Sequence, residues 1–248
     1  MRKLNILVAC EESQAITKIL RTELNQNAFS CDLLKCSGGL PQYHFNTDVF
    51  DIIENKGGLL QNGEFHQITG NWDLMIAHPP CTYLAVSGAR WYYDPKDKSK
   101  PHPRFPNRAK DREEAIEFFI KLWKCNIKNV VIENPIGIIS SQPEIGKPTQ
   151  IVQPWMFGDS ATKTTCLWMR GAIKKLVPTN EVEKGERIYF ASGKSQPKWY
   201  SDALVNAKST EERRTLRSKT FPGMAKAMAT QWVDQILNQG IDHSVITS

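Results

Sequence analysis

The chain has 248 residues, of which 40% are hydrophobic and 23% charged, enough for a full apolar core without disulfide or metal staples and unlike a disordered or fibrous sequence. Thirty-two Lys and Arg against 26 Asp and Glu leave a net charge of +6, a weak pointer to a polyanionic partner and no more. Six cysteines at no repeating spacing, no signal-peptide pattern and no apolar run near the roughly 20 residues of a membrane span predict reduced thiols in a soluble, cytoplasmic protein.

The elements expected in chain order begin with Leu4-Asn-Ile-Leu-Val-Ala-Cys10, an apolar run that reads as a buried strand. Ala15, Ile16, Ile19 and Leu20 follow at helical spacing. Ala28 to Leu34 and a short run from Phe45 to Val49 read as the next strands, carrying Asp32 and Asp48. Trp72 to Ala77 and Asn129 to Glu133 are two more, with an amphipathic helix from Arg112 to Lys124 between them. This alternation predicts an α/β fold with a doubly wound, mostly parallel sheet. Gln150 to Phe157 and Thr164 to Met169, split by Gly158 to Lys163, predict an antiparallel hairpin at one sheet edge. Gly171 to Lys219 is polar, basic and turn-rich, an insertion or reduced subdomain. Phe221, Met224, Ala225, Met228, Trp232 and Ile236 then mark one face of a closing helix. The expected division is residues 1–170 as a core, 171–219 as the basic segment and 220–248 as a helix returning to the core.

Two strand ends carry chemistry. The fourth strand runs into Ala77-His78-Pro79-Pro80-Cys81, where consecutive prolines stiffen the exit from the C-terminal edge, the edge at which open α/β sheets bind ligands. Cys81 there is either a nucleophile or a small cysteine packed in a turn. The fifth ends in Ile132-Glu133-Asn134-Pro135, where a Glu with a pKa raised by burial, beside a carboxamide, could protonate and hydrogen-bond a planar heterocycle; a loop or capping Glu is the plainer alternative. His78 reads as packed or hydrogen-bonded. Cys31 and Cys36 lack a second pair at zinc spacing and the five histidines form no cluster, so no metal is expected. The 22 residues from Cys10 to Asp32 suit a βαβ nucleotide site.

A Pro-Cys dipeptide after strand four and a Glu-Asn dipeptide after strand five, in that order, resemble the signature of the cytosine-5 DNA methyltransferases, and the likeness follows the whole chain. The runs Val8-Ala-Cys-Glu-Glu-Ser13, Ala77-His-Pro-Pro-Cys-Thr-Tyr-Leu84 and Ile132-Glu-Asn-Pro-Ile-Gly137 resemble still more closely a set of short phage and prophage proteins described as cytosine methyltransferase-like. The resemblance implies an S-adenosylmethionine-dependent methyltransferase fold and DNA as partner. It implies Cys81 as the nucleophile adding to carbon 6 of a flipped cytosine, Glu133 as the residue protonating ring nitrogen 3, and Asn134 as the neighbour that orients it. For S-adenosylmethionine it implies contacts from the first loop (Ala9, Cys10, Glu11, Ser13), from Asp32 to the ribose, from Asp48 to the adenine, and from Pro79. For the substrate it implies Pro80, Lys163 and Thr165 near the base, and Arg104 and Arg108 at phosphates. Phe221 to Lys226 resembles the family's C-terminal motif, which completes the cosubstrate pocket. An RNA or nucleotide substrate, or a non-catalytic nucleic-acid-binding protein on the same scaffold, are the other readings.

The first loop departs from the family pattern, because no glycine stands where a glycine-rich turn is expected, and Glu11 and Glu12 set negative charge beside a helix N-terminus. Such a loop suits a cationic sulfonium better than a phosphate. The positive charge gathers in two stretches, net +5 from Pro95 to Arg112 and net +5 from Lys184 to Lys219. The first matches the family's catalytic loop, in which phosphate contacts would close the chain over a flipped base; a solvated face is the bland alternative. Trp91, Tyr92 and Tyr93 could stack on bases, or pack against the domain. The resemblance implies a whole recognition domain where this chain has only the segment from about Arg170 to Lys219, and so a short or relaxed target site, or a borrowed recognition partner.

Overall fold

A computed structural model describes residues 2–218 and 220–239; Lys219 and the expected end of the last helix beyond residue 239 lie outside the described residues. The apolar runs become strands β1 (Asn5–Ala9), β2 (Asn27–Cys31), β3 (His44–Phe45), β4 (Leu74–Ala77) and β5 (Asn129–Asn134), which pair in parallel. The strand expected from Phe45 to Val49 stops at Phe45, because Asp48 caps a helix that begins at Val49. Two more, β6 (Gln150–Val152) and β7 (Thr165–Arg170), form the expected antiparallel pair, and β7 also runs against β5. The seven-stranded order is β3-β2-β1-β4-β5-β7-β6, so the sheet is α/β and mostly parallel, with one reversed strand next to an edge.

Strand alternation sends successive side chains to opposite faces, and each face finds its own helices. Leu7, Met75, Val130, Ile132 and Trp168 face α2 (Val49–Asn55) and α3 (Arg108–Lys124), whose Ile52, Phe119 and Leu122 close that core. Ile6, Val8, Ile76, Val131 and Leu167 face α1 (Ala15–Lys18, continued by a π turn at Ile19–Glu23) and α6 (Pro222–Gln239), through Ile16, Leu20, Met228 and Trp232. The crossover helices β1-α1-β2 and β4-α3-β5 therefore lie on opposite sides, as in doubly wound sheets.

Helix α3 starts at Arg108, a turn before the expected Arg112. The polar segment after Gly171 is more regular than its composition announces. It holds an antiparallel pair, Arg187–Tyr189 with Ser195–Pro197, and two helices, α4 (Lys198–Asn206) and α5 (Thr210–Ser218). A second small hairpin, Gly57–Leu59 with Phe65–Gln67, was likewise not expected. Among the described residues no helix is long and apolar enough to cross a membrane.

Candidate active site

Because β1 to β5 are parallel, their C-terminal ends share one edge of the sheet, and the reversed β7 brings its N-terminal end to the same edge. The chain leaves β1 toward β2 on one side and β4 lies on the other, so the β1/β4 boundary is the switch point at which open sheets offer a crevice. The cleft and the strand exits that form the site lie on that edge.

A cleft of about 210 Å³ opens beside β1, β2 and β3, lined by Cys10, Asp32, Asp48, Pro80, Tyr83 and Phe118 among others. Its floor depends on a backbone that the sequence disguises. Cys10 takes the left-handed conformation (φ 58°) and so does Gln14 (φ 56°), the work of the absent glycines being done by ordinary residues. Gln14 is fixed there by its side chain, which donates to Ser30 Oγ (3.1 Å) and the Leu40 carbonyl (2.9 Å) and accepts from Leu40 N–H (2.9 Å). The chain of bonds runs on from the Ser30 hydroxyl to His44 Nδ1 (2.8 Å) and from His44 Nε2 to the Leu34 carbonyl (2.9 Å), and so pins the loop that carries Asp32. Burial lifts the Asp32 carboxyl above its ordinary range, although Leu34 N–H, at 2.9 Å, favours the ionised form. Asp48 also caps α2, accepting from Phe50 N–H at 2.8 Å.

The second half of the site is built by the exits of β4 and β5. Pro79 is buried, while Pro80 and Cys81 are exposed at the mouth. The Cys81 carbonyl accepts from Leu84 N–H (3.1 Å) and Ala85 N–H (3.0 Å), closing a tight turn behind the thiol. Leu84 and Val86 then join the β5 exit, through Ile138 N–H to the Leu84 carbonyl (2.9 Å) and Val86 N–H to the Ile136 carbonyl (3.1 Å). Gly137 makes this contact possible, since a Cβ there would stand 2.0 Å from the Leu84 carbonyl oxygen. Asn134, 1% exposed, donates to the Pro79 carbonyl at 2.9 Å, and its Oδ1 has no hydrogen-bond partner among the described residues. Asn134 thus braces the strand that delivers Cys81; it does not bond Glu133 as expected.

Glu133 accepts from His78 Nδ1 at 3.2 Å. Burial alone would raise its carboxyl, but the His78 hydrogen bond and the charges of Lys163 and His78 outweigh burial, and the net direction is down. The expectation of a raised acid is corrected accordingly. The Cys81 thiol goes the other way: the protein around it and the Glu133 carboxylate push it up, opposed by Lys163 and Arg217. At rest the site's proton sits on sulfur and the negative charge on Glu133.

Several expected contacts fall elsewhere. Glu11 is 4% exposed and turns inward, its carboxylate accepting from Ile16 N–H (2.6 Å), Thr17 N–H (3.3 Å) and the Thr17 hydroxyl (2.7 Å); it caps α1 and does not line the cleft. Ala9, Ser13 and Pro79 are not in the cleft lining, whereas Pro80, expected at the base, is. Thr165 is 1% exposed and donates to the Lys163 carbonyl at 3.1 Å, a support for the start of β7 rather than a base contact. Arg108 is 8% exposed, donates to the Thr82 carbonyl at 2.9 Å and lies over the rings of Tyr83 and Tyr92, so it cannot serve a phosphate. Arg104 remains exposed. Tyr92 is buried and bonds the Tyr83 carbonyl, and Trp91 packs edge-on against His102 and Phe105; these two aromatics belong to the loop, while Tyr93 is 51% exposed. Arg217, on α5 and with its guanidinium 3.7 Å from the Tyr200 ring centroid, bears on Cys81 and was not singled out from sequence. Its only sequence signal is membership of the second basic stretch.

Among the described residues no cluster of His, Cys, Asp or Glu could hold a metal ion. No protein-family model matches this sequence, and no curated protein matches it.

Proposed function

We propose that the protein is a cytosine-5 methyltransferase acting on DNA, with Cys81 as nucleophile, Glu133 as the proton carrier at ring nitrogen 3 and S-adenosylmethionine as cosubstrate. The observation that carries the reading is the meeting, at one sheet edge, of an accessible thiol and a carboxylate that share the influence of Lys163, beside a cleft containing two aspartates. The reversed strand between β5 and β6 also sets this sheet apart from an all-parallel dinucleotide-binding sheet.

The cleft residues fit the cosubstrate's chemistry. Leu33, Val49 and Phe118 offer apolar surface to a heterocycle, Asp32 at the end of β2 suits a pair of ribose hydroxyls, and the carboxylates of Asp32 and Asp48 suit a cation better than a phosphate. When bound, S-adenosylmethionine would supply an electrophilic methyl group for carbon 5.

The protein's own part follows from the resting proton. Attack moves the Cys81 proton to Glu133 and thence to nitrogen 3 as the sulfur–carbon 6 bond forms, so that the pyrimidine takes up both thiolate and proton and becomes electron-rich at carbon 5. Lys163 and Arg217 favour the thiolate needed for this step. Loss of the carbon 5 proton to solvent, with departure of Cys81 as thiolate and return of the nitrogen 3 proton through Glu133 to the sulfur, then restores the aromatic ring, the carboxylate and the thiol. The cytosine must leave the helix for carbon 6 to meet the sulfur. The exposed Arg104 and the basic α5 helix beside the thiol suit phosphates flanking a flipped base.

The test is incubation with DNA containing 5-fluorocytosine and S-adenosylmethionine, because fluorine blocks release. A covalent adduct mapped to Cys81, absent in Cys81→Ser and reduced by about 10²–10⁴ in rate in Glu133→Gln, is expected. DNA binding with no adduct, and no labelled methyl in DNA, RNA or cytidine nucleotides, would identify a non-catalytic nucleic-acid-binding protein instead.

A further inference from the structure

His78 is used by none of the steps above, yet it is in direct hydrogen-bond contact with the carboxylate of Glu133. It leaves β4 three residues before Cys81, its side chain is 12% exposed, and its Nδ1 lies 3.2 Å from Glu133 Oε2. A carboxylate brings no proton to that contact, so Nδ1 carries the hydrogen and donates it. The other ring nitrogen, Nε2, is buried with no hydrogen-bond partner among the described residues. A polar atom is not ordinarily left so at the cost of its desolvation unless the ring is held there for another purpose. The charges around the pair come from several elements. Glu11 on the turn after β1 feels His78 from one side; Glu133 on β5 is met by His78 and by Lys163 ahead of β7, and it acts in turn on Cys81.

We propose that His78 is a positioning residue for Glu133: its Nδ1–H bond fixes the rotamer of the carboxyl and presents it to the pyrimidine, so that one strand exit, His78-Pro79-Pro80-Cys81, supplies both the nucleophile and the group that aims the proton carrier. The proposal rests on the cytosine-methylation reading for its catalytic consequence, but not for the contact itself. Two prolines make the arrangement rigid. With φ fixed at Pro79 and Pro80, and with the Pro79 carbonyl held by Asn134, the distance from imidazole to thiol has little freedom to vary. Orientation of a reacting group by a locked neighbour is worth as much as the hydrogen bond that locks it, about 10- to 100-fold in rate when the acceptor is charged.

The experiment compares His78→Leu, which fills the space without a donor, with His78→Asn, whose Nδ2 occupies nearly the place of Nδ1. In single-turnover methyl transfer, His78→Leu should lower kcat about 10- to 100-fold with KM for DNA within about twofold, and His78→Asn should recover most of that loss. In the ligand-free protein, the 13C carboxyl resonance of Glu133, assigned with Glu133→Gln, should titrate at higher pH in His78→Leu than in wild type and move back in His78→Asn. An unchanged Glu133 titration overturns the proposal, as does a shifted titration with unchanged kcat, or equal loss of kcat in both variants. If wild-type protein forms no adduct, the methylation reading fails, while the titration still decides whether His78 governs Glu133.

Discussion

Lys163 acts on both the Cys81 thiol and the Glu133 carboxylate. Its charge lowers the thiol and lowers the carboxyl, so removing it raises both. With Lys163→Met the thiolate fraction of Cys81 at pH 8 should fall, and its alkylation by iodoacetamide should slow by roughly threefold or more. Peptide mass spectrometry distinguishes Cys81 from the other five cysteines, of which Cys31 and Cys166 are buried. Faster alkylation in the variant would mean that Lys163 does not set the charge at the thiol. Arg108 teaches the opposite lesson about reading cations one by one. In sequence it is one of seven basic residues in a stretch; in space it is enclosed by Tyr83, Tyr92 and Phe105 and tied to Thr82. Nothing in spacing reports that aromatic packing has removed a guanidinium from solvent.

At the scale of elements, the decisive contact is between the two strand exits. Backbone bonds on both sides of Gly137 join the turn behind Cys81 to the segment that follows Asn134. A methyl group at Gly137 meets a carbonyl oxygen and carbon, neither of which can swing aside as a side chain could. Gly137→Ala should therefore force the exits apart, destabilising the fold by about 1–3 kcal/mol and lowering adduct formation more than DNA binding. Urea unfolding and the fluorocytosine trap read the two effects separately. An adduct yield equal to wild type would show that the exits are not coupled in function. The strands themselves were legible because β1, β4 and β5 are short, buried apolar runs stopped by turn residues, a pattern that burial on both faces of a parallel sheet imposes. Helices α4 and α5 were not legible, since Lys198–Asn206 mixes Trp, Tyr and Leu with charges and Thr210–Ser218 carries a single leucine. Their helicity rests on mutual packing with the neighbouring hairpin, and Arg217 was hidden with them.

Across the whole molecule, the site is an edge effect of a sheet whose two faces are filled by separate sets of helices. The loop bearing Asp32 is held by buried His44, which burial keeps below the ordinary histidine pKa. The unfolded chain binds a proton at His44 near pH 6.5 and the folded chain resists it, so stability falls as pH drops below that value toward the lowered folded pKa. The carboxyls of Glu11 and Asp32, raised by burial, act with the opposite sign at lower pH, and His66 adds to the histidine effect. Comparison with His44→Asn isolates the one group. Wild type should lose more Tm between pH 7.5 and 5.5 than the variant does, and equal losses would show that His44 is not the titrating support. What the sequence could convey of this scale was the winding order; it could not convey that Glu11 would serve α1 instead of the cleft, because which way a buried carboxylate turns is settled by the competing N–H groups of a folded helix.

The reversed strand gives the chain a divisible architecture. A break at the exposed Pro143–Glu144 turn would leave Cys81, Glu133, His78 and the cleft on one fragment, and β6, β7, Lys163, Arg217 and α6 on the other. The first fragment would hold Cys81 and Glu133 without the cations that act on them, and would expose β5 as an unpaired sheet edge. Docking β7 onto β5 would restore sheet and charge in a single event. Built this way, the protein would report the meeting of its halves through the restored influence of Lys163 and Arg217 on the Cys81 thiol.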